Sequence, residues 1–174
     1  MYKISLDTNA MLDLCYRFYP KSIFANVWSC LLIQMQQHHF AFYLSSTNKN
    51  ECIKKIEQFD YDQVIFDDFI STMKVQVIER DDFGDSVIYI QKTLHQHPSF
   101  AKSIHATRPE EDVDMIALAR HIKGAALTSE RGFGKENHAK QSKSRPKIPD
   151  ICELVNIKCT DWVTFFGLLG MRFD

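Results

Sequence analysis

The chain has 174 residues, 45% of them hydrophobic and 25% charged, with a formal net charge of −1. That length supports one compact domain over residues 1–174, and the composition sets aside the disordered, collagenous and coiled-coil classes. Met1-Tyr2-Lys3-Ile4-Ser5 lacks the apolar run of a signal peptide, and no uncharged stretch reaches the roughly 18 residues of a membrane span, so a cytoplasmic protein without membrane contact is expected. Five scattered cysteines without a C-x-x-C pair argue against a disulfide framework and a zinc site.

In chain order, Tyr2–Asp7 reads as a short strand with Ile4 and Leu6 apolar. Asp7-Thr8-Asn9 signals a helix start leading into Ala10–Tyr16, and Pro20 breaks that segment. Over Ser22–Gln37, Phe24, Val27, Trp28, Leu31, Leu32 and Met35 recur at helical spacing. Phe40–Leu44 reads as a second strand. Ser46, Thr47 and Asn48 offer N-caps for a helix carrying Glu51, Cys52, Ile56 and Phe59. Tyr61–Met73 and Asp85–His97 read as helices around a strand at Val75–Ile78, and Pro98–Pro109 as a connecting loop.

Glu110–Lys123 predicts a further helix, with acids in its first turn and Gly124 placed as its C-cap. Ala125–Thr128 reads as a short strand running into Ser129-Glu130. Arg131–Lys147 has the composition of a mobile loop. A helix over Pro149–Val155, a strand at Ile157–Cys159 and a helix over Asp161–Leu169 complete the chain. Strands alternating with helices predict an α/β three-layer sandwich, its central sheet mainly parallel and flanked by helices.

In such sheets ligands gather beyond the carboxyl ends of the strands, where Asp7 and Glu130 both fall. A lone aspartate after a strand is also a common helix cap, so Asp7 acquires meaning from Glu130 at an equivalent strand end. Winding the Asp112–Lys123 helix at about 100° per residue puts Asp112 within the stripe of Met115, Ile116, Leu118, Ala119 and Ile122. A carboxylate among apolar neighbours needs compensation, whereas a first-turn acid is also favoured by the helix dipole. Asp114 falls with His121 on the opposite side and is expected to be solvated. Glu51 stands at the border of its helix's apolar face. Acids converging on one point repel, and a divalent cation between them is expected; oxygen ligation selects Mg2+ or Mn2+. Between Arg131 and Lys147, the bases Arg131, Lys135, Lys140, Lys143, Arg145 and Lys147 face a single acid, Glu136. A loop of that charge can hold phosphates, or it can be solvated without a partner.

Leu6-Asp7-Thr8-Asn9-Ala10, followed by Leu12-Asp13, resembles the opening motif of PIN domains. Asp112-Val-Asp-Met-Ile-Ala-Leu-Ala119 resembles the family's later helix. Thr128-Ser129-Glu130 resembles its T-x-D strand end, with glutamate for the usual aspartate. Lys147-Ile-Pro-Asp-Ile-Cys-Glu-Leu154, with Leu168-Leu-Gly-Met-Arg-Phe173, resembles the C-terminal signature of an uncharacterised bacterial PIN-like branch. The likeness spans nearly the whole chain.

The resemblance implies a PIN-like fold and a Mg2+- or Mn2+-dependent endoribonuclease of the VapC-like toxin type. It implies RNA as substrate and an antitoxin protein as partner, while the assembly, a homodimer among the options, stays open. Asp7, Glu51, Asp112 and Glu130 would bind metal, with Thr8, Asn9, Asp114 and Thr128 in support and the basic loop on the RNA. Cleavage would leave a 5′-phosphate and a 3′-hydroxyl. Two other readings stay open: a non-catalytic PIN-fold binding module, and a phosphatase with Asp7 as nucleophile. The second wants another acid two residues on, where Asn9 stands.

Overall fold

The computed structural model describes residues 2–97, 110–132 and 146–171. In order these form β1 (Tyr2–Leu6), α1 (Thr8–Leu12), a π-turn segment (Asp13–Arg17), α2 (Ala25–His38), β2 (Phe40–Ser45), α3 (Ser46–Gln58), α4 (Gln63–Thr72) and β3 (Gln76–Ile78). A 3-10 turn (Arg80–Phe83) leads to α5 (Gly84–Gln96), α6 (Glu110–His121), β4 (Ala125–Leu127), α7 (Ile148–Leu154), β5 (Lys158–Thr160) and α8 (Trp162–Leu168).

The five strands are all parallel, in the order β3-β2-β1-β4-β5. The chain builds outward from β1 to β3, then returns to lay β4 on the other side of β1. The order therefore reverses between β1 and β4, where a crevice opens beyond the strands' carboxyl ends. Side-chain alternation divides the core in two. Ile4, Leu6, Phe42, Leu44 and Leu127 face α1, α2, α3, α4 and α8, while Ala41, Tyr43 and Ala126 face α5, α6 and α7. The result is the expected α/β three-layer sandwich.

Local differences from the sequence reading have physical causes. The first helix is interrupted after Leu12, where Phe18 N–H reaches back five residues to Asp13 O at 2.8 Å. The N-cap of α3 is Ser45, whose Oγ accepts from Asn48 N at 3.0 Å, so Ser46, Thr47 and Asn48 lie inside the helix. Gly124 is not the left-handed residue after α6. Lys123 takes that conformation (φ 53°), and Gly124 N donates to Ala119 O, closing a Schellman turn. The glycine serves a different need: a Cβ there would stand 2.2 Å from Lys3 O of β1. The segments 98–109 and 133–145, expected as loops, lie outside the described residues.

Candidate acidic site

Asp7 follows β1 at the point where the strand order reverses, and its backbone N–H is fixed by Leu127 O of β4 at 2.9 Å. It occupies the N-cap position of α1, yet its side chain makes no capping bond. Oδ2 instead accepts from Thr128 Oγ1 at 2.9 Å, and the residue is 1% exposed. Capping therefore does not explain this aspartate. Burial is the main cause that pushes its carboxyl up to about 7; the Thr128 bond opposes it, and the negative charges of Asp112, Glu130 and Glu51 add to it. All three other acids are thus near enough to act on Asp7.

Glu51 lies on α3. It accepts from Thr8 Oγ1 and pairs with Lys55 Nζ at 3.0 Å. Behind it runs a buried polar chain: Ser45 Oγ donates to Asn48 Oδ1 at 2.5 Å, Asn48 Nδ2 to Thr8 Oγ1 at 3.2 Å, and Thr8 to Glu51. Ser45 and Asn48 were missed as site residues in the sequence. The S-x-x-N spacing was visible, but it reads as a cap until Thr8 is known to stand opposite. Asn9 is half-buried, and its carbonyl accepts from Asp13 N within the helix.

Glu130 has two attachments. Its backbone N–H donates to Thr128 Oγ1 at 3.1 Å, so one hydroxyl positions both Asp7 and Glu130. Its Oε2 accepts from Ile148 N at 2.8 Å, the first residue of α7, and Oε1 stands 3.7 Å from Lys147 Nζ. The Lys147-Ile148-Pro149-Asp150 turn is a helix start with its donors answered. Asp150 Oδ2 takes Lys147 N at 3.1 Å, Glu130 takes Ile148 N, and Pro149 has no N–H. Gly132 packs on that turn, since a Cβ there would meet Asp150 Oδ1 at 2.9 Å. Lys147, one described end of the basic segment, is thereby held beside Glu130, and Arg131, the other, follows Glu130 directly in the chain. Lys135, Lys140, Lys143 and Arg145 lie outside the described residues.

Asp112, on the first turn of α6, is half-buried. Asp114 overturns its expectation: it is 0% exposed rather than solvated. The helical wheel assumed one wet face, but α6 is covered by α5 and α3 as well as by β1 and β2. Asp114 Oδ2 accepts from Thr47 Oγ1 at 2.7 Å, and Arg80 Nε stands 3.2 Å from Oδ1, too oblique for a hydrogen bond but close enough for an ion pair. Burial raises this carboxyl, while Thr47 and Arg80 oppose that shift. Asp114 is thus a buried strut between α6 and α3, and Arg80, which also pairs with Glu110, was not singled out in the sequence.

The donors at the site are carboxylates and hydroxyls, a set suited to a hard divalent cation. Cys52 lies beside Thr8, but burial pushes its thiol up to about 12, so it stays protonated. Among the described residues, no three acidic, histidine or cysteine side chains already surround one point. Asp7, Glu51 and Glu130 each rest on a donor of their own, so closing around a cation requires their side chains to turn. The donor chemistry fits Mg2+ or Mn2+, with Asp7, Glu51, Asp112 and Glu130 as the residues that would hold it.

No curated protein is significantly similar to this sequence. The chain matches the sequence profile of a family described as a domain of unknown function, DUF4411, over residues 4–173, and it belongs to that family.

Proposed function

We propose that the chain is a PIN-type endoribonuclease that hydrolyses RNA phosphodiester bonds with Mg2+ or Mn2+. The observation that carries this reading is the buried, uncapped Asp7 at the reversal of strand order, whose carboxyl feels the negative charges of Asp112, Glu130 and Glu51. A buried carboxylate without a cap to make, crowded by like charges, lowers stability unless it serves a charged ligand.

A bound cation would neutralise the acids, orient water and steady charge on the phosphate. The chain's own residues supply position. Thr128 aims Asp7, and the Ser45–Asn48–Thr8 chain aims Glu51. Asp112 is brought to the mouth by the first turn of α6, which Asp114 fastens to α3. Glu130 anchors the start of α7 and with it one end of the basic segment. Lys147, beside Glu130, and the exposed Arg131 next to Glu130 in the chain would meet backbone phosphates without reading bases. Water attacks phosphorus in line and the 3′ oxygen leaves.

The toxin role and the antitoxin partner rest on the PIN resemblance alone. The test is cleavage of a mixed RNA pool with end mapping, in Mn2+, in EDTA, and by the variants Asp7→Asn and Asp112→Asn. Cleavage is expected to stop in EDTA and in both variants, and growth arrest on expression to disappear with Asp7→Asn. Cleavage indifferent to chelation would end the metal mechanism. A non-catalytic PIN-fold module is favoured by one observation, that Asp7, Glu51 and Glu130 already have donors. Calorimetry that detects no Mn2+ binding would select it.

A further inference from the structure

At the opposite, amino-terminal edge of the sheet lies a cleft of about 480 Å³. Four cationic side chains line it: Lys3 of β1, Arg120 at the end of α6, Lys123 in the following turn and Lys158 of β5. No lining residue is acidic. Among the described residues, none of the four makes an ion pair. Arg120 lies over the Tyr89 ring, 3.7 Å from its centroid, which orders the guanidinium without neutralising it. Arg120 and Lys123 gain from the carboxyl end of α6. Lys3 and Lys158 are strand residues and gain nothing comparable, so dipole compensation does not account for the cluster.

The floor of the cleft is apolar, from Ile4, Ala119, Ala125, Val155 and Ile157. At its rim stands Tyr2, 73% exposed. Cations with no ion pair among the described residues, set around an apolar floor with an accessible ring, match a nucleotide, whose base can rest on the floor or ring while its phosphate meets the cations. Lys3 precedes Asp7 by four residues, about 13 Å along a strand, so the cleft is separate from the acids.

We propose that this cleft is a second, non-catalytic site that binds the phosphate of a nucleotide, either free or within an RNA strand. Binding needs no divalent cation and does not depend on the nuclease reading. The test is calorimetry in EDTA with adenosine monophosphate, adenosine and a short oligouridylate. The proteins are wild type, Lys123→Glu with Lys158→Glu, the milder Lys123→Gln with Lys158→Gln, and Lys54→Glu on α3, outside the cleft, as a surface control.

Wild type is expected to bind the monophosphate and not adenosine. The double reversal should weaken binding about tenfold or more and flatten its salt dependence. The double neutralisation should do so by less, and Lys54→Glu not at all. Tighter binding of the oligonucleotide than of the monophosphate, lost in the same variants, assigns the phosphates to a strand. Equal or weaker oligonucleotide binding assigns them to a free nucleotide. Failure of wild type to bind either ligand, equal affinity for adenosine, or affinity unmoved by the reversal overturns the proposal. Loss of the cleft with RNA cleavage intact leaves the nuclease standing, and binding without cleavage leaves only the cleft.

Discussion

The hydroxyl of Thr128 donates to Oδ2 of Asp7 across 2.9 Å, joining two strand ends that are 121 residues apart in the chain. The same oxygen accepts from the backbone of Glu130, so one small side chain sets the geometry of two acids. Thr128→Val keeps the shape and removes both bonds. It is expected to cost about 1–3 kcal/mol of stability and to weaken Mn2+ affinity about 10- to 100-fold, with Thr128→Ser close to wild type. Denaturant melts and Mn2+ calorimetry check this; unchanged Mn2+ affinity in the valine variant would deny Thr128 its positioning role.

Asp7 itself should be a stability liability. Its carboxyl titrates near 3.8 ordinarily and about 7 when folded. Between those values the folded state holds a proton that the unfolded chain has released, so folding stability falls as pH rises from about 4 to about 7 and then levels. Asp7→Asn removes the charge. In EDTA the variant is expected to gain on wild type across that window, by about 1–3 kcal/mol at pH 8. Added Mn2+ should raise the melting temperature of wild type alone. Parallel stability–pH curves for the two proteins would contradict the burial argument.

The layout of the site was legible because strand ends are legible. Alternation of apolar residues marked β1 and β4, and in a parallel sheet their ends share an edge, which brought Asp7 and Glu130 together on paper. Asp114 and Asn48 were not legible, because each is satisfied by a partner far along the chain. Asp114 takes Thr47 and Arg80; Asn48 takes Thr8. Helix ends were half legible. Schellman turns close α3, α4, α6, α7 and α8 with Asp60, Lys74, Lys123, Asn156 and Gly170 in the left-handed position, and glycine marks only the last. Asp60 and Asn156 are types that tolerate this conformation, whereas at Lys74 and Lys123 the backbone bonds of the turn outweigh the strain and the residue type gives no sign of it.

Gly124 and Lys123 make opposite predictions from adjacent positions. Gly124→Ala drives a Cβ into the carbonyl of Lys3 on a central strand, where backbone cannot give way. A loss of about 2–3 kcal/mol is expected. Lys123→Gly relieves a left-handed lysine (φ 53°) and should gain a few tenths to about 1 kcal/mol. Thermal melts of the two variants decide it; a neutral Gly124→Ala would mean that β1 and the α6–β4 turn are less closely apposed.

Arg80 is a residue whose removal has a pH-dependent consequence. It is the cation beside Asp114, a carboxylate with 0% exposure that already titrates high. Arg80→Ala withdraws the charge that opposes this rise, so Asp114 should take up its proton at still higher pH. Above that point the variant buries an unpaired charge and should lose about 2–4 kcal/mol; as pH falls and Asp114 protonates, the charge penalty should shrink. The double variant Arg80→Ala with Asp114→Asn should show no such pH dependence, since the amide carries no charge and can still accept from Thr47. Because Thr47 and Asp114 fasten α3 to α6, the single variant should also loosen the placement of Glu51 on α3 relative to Asp112 on α6 and weaken Mn2+ binding. Denaturation across a pH series and Mn2+ calorimetry read both effects, and a pH-independent loss of stability would reduce Arg80 to a surface contact.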